Sequence, residues 1–282
     1  MKQRDLLKKY SIRPSKLLGQ NFLLDENVIR NIVDVLDPIK GEIIVEIGPG
    51  LGALTSVILG RGAYVVGVER DRNLIAILEK ELGVYKDNFK VIEDDILKFD
   101  FNKYFASRKV RIVGNLPYYL TSPLIFRLFE QCANITSAIL MVQKEVADRI
   151  LATPGTPEYG RLTVAVRFFA EAERIMNVSK KSFMPSPKVD STVIRLNFRL
   201  PNEIKKTGVI PKFFLEIVKA AFSQRRKNIL NCLFHAQICN LEKPELNDLL
   251  EKSAIKSSQR AETLFLKDFL LLCRKLQDIR TS

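Results

Sequence analysis

Apolar residues recur at Val28, Ile29, Ile32, Val33 and Leu36, a spacing of three and four that predicts an amphipathic helix, with Asp25 placed as its N-cap. The pattern then changes period. "EIIVEIG", "AYVVGVE", "FKVIEDD" and "KVRIVGN" are short β-branched runs, separated by the helical stretches "GALTSVILGRG" and Asn73 to Leu82. Strands alternating with helices predict an α/β fold around a parallel sheet covered on both faces. Each of these runs ends in a polar or glycine-rich group: Glu46 to Gly52, Glu69, Asp94-Asp95 and Asn115. Since ligands of such sheets bind outside the carboxyl ends of the strands, four candidate segments are expected to meet at one edge.

Further along, "RLTVAVRFFAEAERIMNVS" predicts a helix followed by a strand, and "VDSTVIRLNFR" a late, partly exposed strand. The polar stretch from Asn202 to Gly208 is expected to be a linker. From Pro211 onward the pattern is helical, punctuated at Pro244 and Ser257-Ser258, which predicts a small all-helical domain.

Composition adds a partner class. The 282 residues carry a formal net charge of +13, unevenly placed: residues 1–179 hold 25 Lys and Arg against 22 Asp and Glu, while residues 180–282 hold 20 against 10. A basic C-terminal third is expected to meet a polyanion. Cys132, Cys232, Cys239 and Cys273 form no C-x-x-C pair and are expected to be reduced thiols. With His235 as the only histidine, multi-histidine metal sites are excluded and no metal is expected; His235 itself is expected near a helix end. "MKQRDLLKKY" lacks the apolar core of a signal peptide and no apolar run is long enough to span a bilayer, so no membrane association and a cytoplasmic location are expected.

The glycine loop "EIGPGLGA" follows one strand and opens one helix, as a backbone does when it must approach a ligand closely. Its spacing fits two patterns at once. Gly48, Gly50 and Ala53 satisfy a dinucleotide-type G-x-G-x-x-A, whereas Glu46, Gly48, Gly50 and Gly52 satisfy the E-x-G-x-G-x-G of S-adenosylmethionine-dependent methyltransferases. In either case Glu69, about twenty residues on, can accept from ribose hydroxyls. Asp94 or Asp95 can accept from an adenine amino group, or serve as the N-cap of a helix over "ILKFD".

"NLPY", Asn115-Leu116-Pro117-Tyr118, suits a particular chemistry. The exocyclic amine of adenine is a weak nucleophile because its lone pair is delocalised into the ring. Two fixed acceptors, the Asn115 side-chain oxygen and the Leu116 carbonyl, would sharpen it. Pro117 biases Leu116 to an extended conformation, and the Tyr118 ring can stack on the base. No histidine base is needed if a sulfonium leaving group drives the transfer.

Taken in order, "GQNFL" (19–23), "EIGPGLGALT", "NLPYYLTSPL", "FMPSPKVDST" (183–192), "AFSQRRKNILNCL" (221–233) and "RAETLFLKDFLLL" resemble the successive motifs of the ribosomal RNA adenine N6,N6-dimethyltransferases, the small-subunit branch above all. The resemblance implies a Rossmann-like S-adenosylmethionine-dependent methyltransferase domain over residues 1–205, with a basic N-terminal extension, and a small all-helical RNA-binding domain over 206–282. It implies S-adenosyl-L-methionine as donor and, as substrate, two adjacent adenosines near the 3′ end of small-subunit (16S) ribosomal RNA. It further implies the immature small subunit as partner, a role in small-subunit biogenesis and a monomeric enzyme. Donor contacts are implied at Asn21, Leu23, Gly48, Glu69, Asp95 and Asn115, catalytic positions at Asn115, Leu116, Pro117 and Tyr118, and the substrate base at Tyr118 and Phe183. Arg225, Arg226 and Lys227, expected on a helix, are the implied RNA contacts. Two competitors stay open: a large-subunit adenine methyltransferase sharing the catalytic motifs, and an RNA-binding assembly or transcription factor that keeps the fold without the chemistry.

Overall fold

The computed structural model describes residues 3–15, 18–106 and 108–281; the side chains of Cys132 and Thr281 are outside the description, as are Met1 and Lys2 of the N-terminal extension. Nine strands are present among these residues: β1 (Phe22–Leu23), β2 (Ile43–Ile47), β3 (Tyr64–Glu69), β4 (Phe89–Glu93), β5 (Val110–Asn115), β6 (Ile135–Gln143), β7 (Ala170–Val178), β8 (Phe183–Met184) and β9 (Ser191–Phe198). Seven form one sheet in the order β4-β3-β2-β5-β6-β9-β7, and β1 pairs with β8 in a separate antiparallel ribbon. β4, β3, β2, β5 and β6 run parallel, and β9 runs antiparallel to β6.

The chain moves outward from β2 through β3 to β4, then returns to place β5 on the other side of β2. That reversal makes the β2–β5 seam the switch point at which a crevice opens beyond the strand ends. The seam is tight: a Cβ added to Gly114 would lie 2.9 Å from the Ile47 carbonyl oxygen, so only glycine fits beside β2 there. The preceding helix, Glu26–Leu36, begins as the periodicity predicts, with the Asp25 carboxylate accepting from the Asn27 and Val28 amides. Its apolar stripe, Ile29, Ile32, Val33 and Leu36, is buried against Ile44, Val113 and Val193 in the main core.

Contacts divide the chain into two compact units, Met1–Ala147 with Glu173–Phe198, and Asp148–Ala172 with Arg199–Ser282. This differs from the expected boundary at 205/206 in two ways. Residues 148–172 join the C-terminal helices because the helix Arg161–Phe169 faces them: Phe168 stacks on Phe214 with ring centroids 4.2 Å apart, and the Tyr159 hydroxyl donates to the Leu264 carbonyl at 2.7 Å. The expected linker is in fact the helix Pro201–Lys206, with proline in its first turn, the Glu203 carboxylate accepting from the Leu200 amide at 2.7 Å and Ile204 buried. Four longer elements, Pro211–Ala221, Ile229–His235, Lys243–Lys252 and Leu266–Thr281, complete that unit around Phe214, Leu250, Phe269 and Leu276.

β9 also differs from expectation. It is buried over most of its length because it sits between β6 and β7 rather than at the sheet edge. Cys232, Cys239 and Cys273 are free thiols, and His235 closes the short helix Ile229–His235. No helix among the described residues is long and apolar enough to cross a membrane, and no group of three or more His, Cys, Asp and Glu among them could hold a metal ion.

Candidate active site

One cavity opens beyond the carboxyl ends of β2, β3, β4 and β5. Its lining includes Asn21, Leu23, Gly48, Glu69, Asp95, Asn115, Leu116, Pro117, Tyr118 and Phe183, the ten site positions that the resemblance implies within this unit. They come from six segments of chain.

The glycine-loop side is held by backbone. The Glu69 carboxylate, at the end of β3, accepts three amide N–H groups: Arg70 at 2.8 Å and Asp71 at 3.0 Å on one oxygen, Gly50 at 3.3 Å on the other. Burial pushes the Glu69 carboxyl above its ordinary range, and those three amides oppose the shift. Beneath the loop, Glu46 is only 2% exposed and accepts from the Thr55 hydroxyl at 2.6 Å. Burial first, and the neighbouring Glu69 charge as a smaller cause, push its carboxyl up to about 7 against the Thr55 bond. Gly48 takes φ +64°, and a Cβ there would meet nothing within 4 Å, so the glycine keeps the cavity floor clear for a ligand's approach.

Asp94 and Asp95 both line the cavity, but their oxygens are committed differently. Asp94 Oδ1 accepts from the Asp95 amide at 2.7 Å, and Asp95 Oδ1 from the Leu97 amide at 3.0 Å. Asp95 Oδ2 lies 3.8 Å from the Arg70 guanidinium. No helix forms over residues 96–100, so neither is the helix N-cap expected as the alternative: Asp95 caps a turn over residues 96–98 and keeps a second oxygen toward Arg70, and the Asp94 carboxylate accepts from its neighbour's amide.

On the opposite side, β5 ends at Asn115, whose Nδ2 donates to the Asn21 carbonyl at 2.9 Å. This bond fixes the amide: a flipped side chain would set two oxygens against each other, so Oδ1 is the atom left for a ligand. Asn21 in turn donates to the Gly19 carbonyl at 3.2 Å. The Leu116 amide donates to the Met141 carbonyl at 3.2 Å, and Pro117 takes φ −54° and ψ 132° as the turn at 118–120 begins. Tyr118 is half-buried with its hydroxyl 3.2 Å from Ser191 Oγ, and burial pushes its phenol upward. Phe183 reaches the cavity from β8, paired with Leu23 of β1, and is only 5% exposed; it serves the core as well as the cavity wall.

Several lining residues escaped the sequence reading. Gln3 lies in the N-terminal helix Gln3–Lys9, is buried and donates to the Leu51 carbonyl at 3.4 Å. Gln20 bridges Asp71 and the Ser15 amide, and Arg70, Ile96 and Tyr119 complete the rim. Arg70, Ile96 and Tyr119 are each the immediate chain neighbour of a named residue, a signal that was available; the place of Gln3 depends on contacts 48 residues away.

Arg225, Arg226 and Lys227 belong to the other unit. They do not lie on a helix: residues 222–228 form a turn between Pro211–Ala221 and Ile229–His235, closed by the Lys227 amide on the Gln224 carbonyl. The Asn228 side chain accepts from the Asn231 amide and so starts a new helix. Arg225 donates to the Pro157 carbonyl and lies 3.5 Å from Glu262, while Arg226 and Lys227 are exposed.

A model of the ribosomal RNA adenine dimethylase family matches residues 13–271. The "Ribosomal RNA small subunit methyltransferase A" of Alkaliphilus oremlandii is 41% identical over 280 residues, spanning 98% of this chain and 96% of its own. The protein of that name from a Geobacillus species is 40% identical over 286 residues, spanning 98% and 96%. Among solved structures, the dimethyladenosine transferase from Plasmodium falciparum has a TM-score of 0.78 at 28% identity, covering 92% of this chain and 98% of that one. The 23S rRNA methyltransferase ErmE has a TM-score of 0.65 at 24% identity, covering 91% and 100%, which is a likeness of fold.

Proposed function

Since the chain belongs to the ribosomal RNA adenine dimethylase family, we propose that it moves methyl groups from S-adenosylmethionine to N6 of two adjacent adenosines near the 3′ end of small-subunit ribosomal RNA. The immature small subunit is then its partner, in the cytoplasm, with a single chain as the working unit. The observation that carries the reading is the Asn115 amide, anchored through its nitrogen to Asn21 at the end of β5, in the same cavity as the glycine loop.

S-adenosylmethionine, when bound, supplies a methyl group on a positively charged sulfur. The residues suit it: Gly48 leaves room for it, and the Glu69 and Asp95 carboxylates give a cationic donor an acidic surround. Glu69, held by its three amides, would accept from the ribose hydroxyls, and Asp95, through the oxygen not spent on Leu97, from the adenine amino group. Asn21, Leu23 and Asn115 complete that surround.

For the substrate, Asn115 Oδ1 and the Leu116 carbonyl would accept the two N6–H groups of the target adenine in the first transfer, and one of them the single N–H that remains in the second. Accepting both draws the amine toward the tetrahedral geometry in which its lone pair can attack. Tyr118, tied to Ser191, would hold one face of the base and Phe183 the other. The amine's proton becomes acidic only once N6 carries the extra methyl, so it can leave to water and no tuned base is required. Arg225, Arg226 and Lys227 would contact RNA phosphate, with Arg225 already braced by Pro157 and Glu262.

The test is transfer of radiolabel from S-adenosylmethionine to unmethylated small subunits, followed by digestion of the RNA. Label in N6,N6-dimethyladenosine near the 3′ end is expected. Label on large-subunit RNA instead would move the chain to the large-subunit branch, and none on either RNA would leave an RNA-binding assembly role.

A further inference from the structure

Four aromatic rings line the cavity, and one of them differs from the rest. Phe22 and Phe183 are buried and Tyr118 is half-buried, whereas Tyr119 is 53% exposed. Residues 118–120 form a single 3-10 turn, in which consecutive side chains diverge by roughly 120°. Tyr118 therefore turns inward to Ser191 while Tyr119, its chain neighbour, turns out at the mouth.

The outward ring is braced. Gly19 sits at φ +63°, and a Cβ added to it would come within 3.2 Å of Tyr119 Cε1 and 3.3 Å of Pro117 Cβ. Backbone at Gly19 thus abuts the Tyr119 ring, and the turn itself is closed by the Leu120 amide on the Pro117 carbonyl at 2.9 Å. The result is a platform held on one side and open to solvent elsewhere. An exposed tyrosine alone is unremarkable as a surface feature; one held against backbone at the entrance to a nucleobase cavity has a use.

We propose that Tyr119 is a positioning residue for RNA: it stacks on the nucleobase next to the one in the cavity. This rests on the function proposed above. If Tyr118 and Phe183 hold one adenine, its neighbour in the strand must lie within a single backbone step, outside the cavity and near the mouth. Every base offers a π-face, so the platform accepts the second adenosine while the first reacts, and can hold the strand as the two exchange places. Tyr119 touches no reacting atom and needs only its ring.

The experiment compares wild type, Tyr119→Phe and Tyr119→Ala on unmethylated small subunits. It measures kcat and KM for subunits, KM for S-adenosylmethionine, thermal midpoint, and the fraction of RNA methylated on only one of the two adenosines. Loss of one base stack predicts a fall in kcat/KM for subunits of about tenfold or more in Tyr119→Ala. Donor KM and thermal midpoint should stay at wild-type values, singly modified RNA should accumulate, and Tyr119→Phe should behave as wild type. Tyr119→Ala within twofold of wild type, or Tyr119→Phe as impaired as Tyr119→Ala, would overturn the stacking role. A wild type that leaves small subunits unlabelled would instead overturn the function on which the inference rests.

Discussion

The two sides of the cavity are built in opposite ways. On the glycine-loop side the Glu69 carboxylate is held by three backbone amides and Glu46 is sealed beneath it by Thr55. On the β5 side, Asn115 and Tyr118 are each held by a single side-chain bond, and Tyr119 stands half in solvent. The first arrangement is fixed chiefly through backbone amides; the second keeps an oxygen and two ring faces for the substrate. We read the difference as a division of labour, with one side selecting the donor in the ground state and the other acting as the methyl group moves.

Substitutions can break that contrast. The largest effect is expected for Asn115→Ala, which removes a positioned acceptor: kcat for small-subunit methylation should fall about 10²- to 10³-fold, as measured by label incorporation at saturating donor.

Next comes Glu46, where the sign follows from a carboxyl raised on folding. Its pKa rises from an ordinary 4.5 to about 7, so the folded state keeps a proton that the unfolded chain gives up. The contribution to stability is complete below pH about 4.5 and is lost as pH climbs toward about 7, amounting to roughly 3 kcal/mol. Glu46→Gln, which still accepts from Thr55, should flatten that slope and be the more stable protein at pH 8, measured by denaturant unfolding at pH 5 and pH 8. Parallel slopes for the two proteins would contradict it.

Gly114→Ala tests whether the β2–β5 seam aims Asn115. A Cβ 2.9 Å from the Ile47 carbonyl must push the strands apart, which should cost about 1–3 kcal/mol and lower activity further than that loss of stability explains. The smallest effect is expected for Arg226→Gln in the basic turn. It should weaken RNA binding modestly and reduce the slope of log affinity against log salt by about one.

What the sequence revealed and what it hid follow one rule. β2, β3, β4 and β5 are legible because β-branching and the chemistry at each strand end lie within a few consecutive residues. The cavity itself followed from topology, since parallel strands must present those ends together. The placing of residues 148–172 with the C-terminal helices is not legible locally, because it is set by Phe168 against Phe214, a contact 46 positions apart in sequence. A helix is expected at Arg225–Lys227 where residues 222–228 form a turn, since Gln, Arg and Lys favour helix. Asn228 as the cap of the next helix was the signal passed over, as was the proline with Glu203 at Pro201–Lys206. Gln3 could not have been found: nothing local marks a glutamine that will be buried beside Leu51.

The measurement that bears most directly on the division of labour is steady-state kinetics on unmethylated small subunits, with kcat and donor KM determined separately for Asn115→Ala and Glu69→Gln. Asn115→Ala should lose kcat, whereas Glu69→Gln, with one of its acceptor oxygens replaced by an amide NH2 that only donates, should raise donor KM about tenfold or more and keep most of kcat. If Asn115→Ala retains kcat within threefold of wild type, the two sides of the cavity do not divide the work as their geometry indicates.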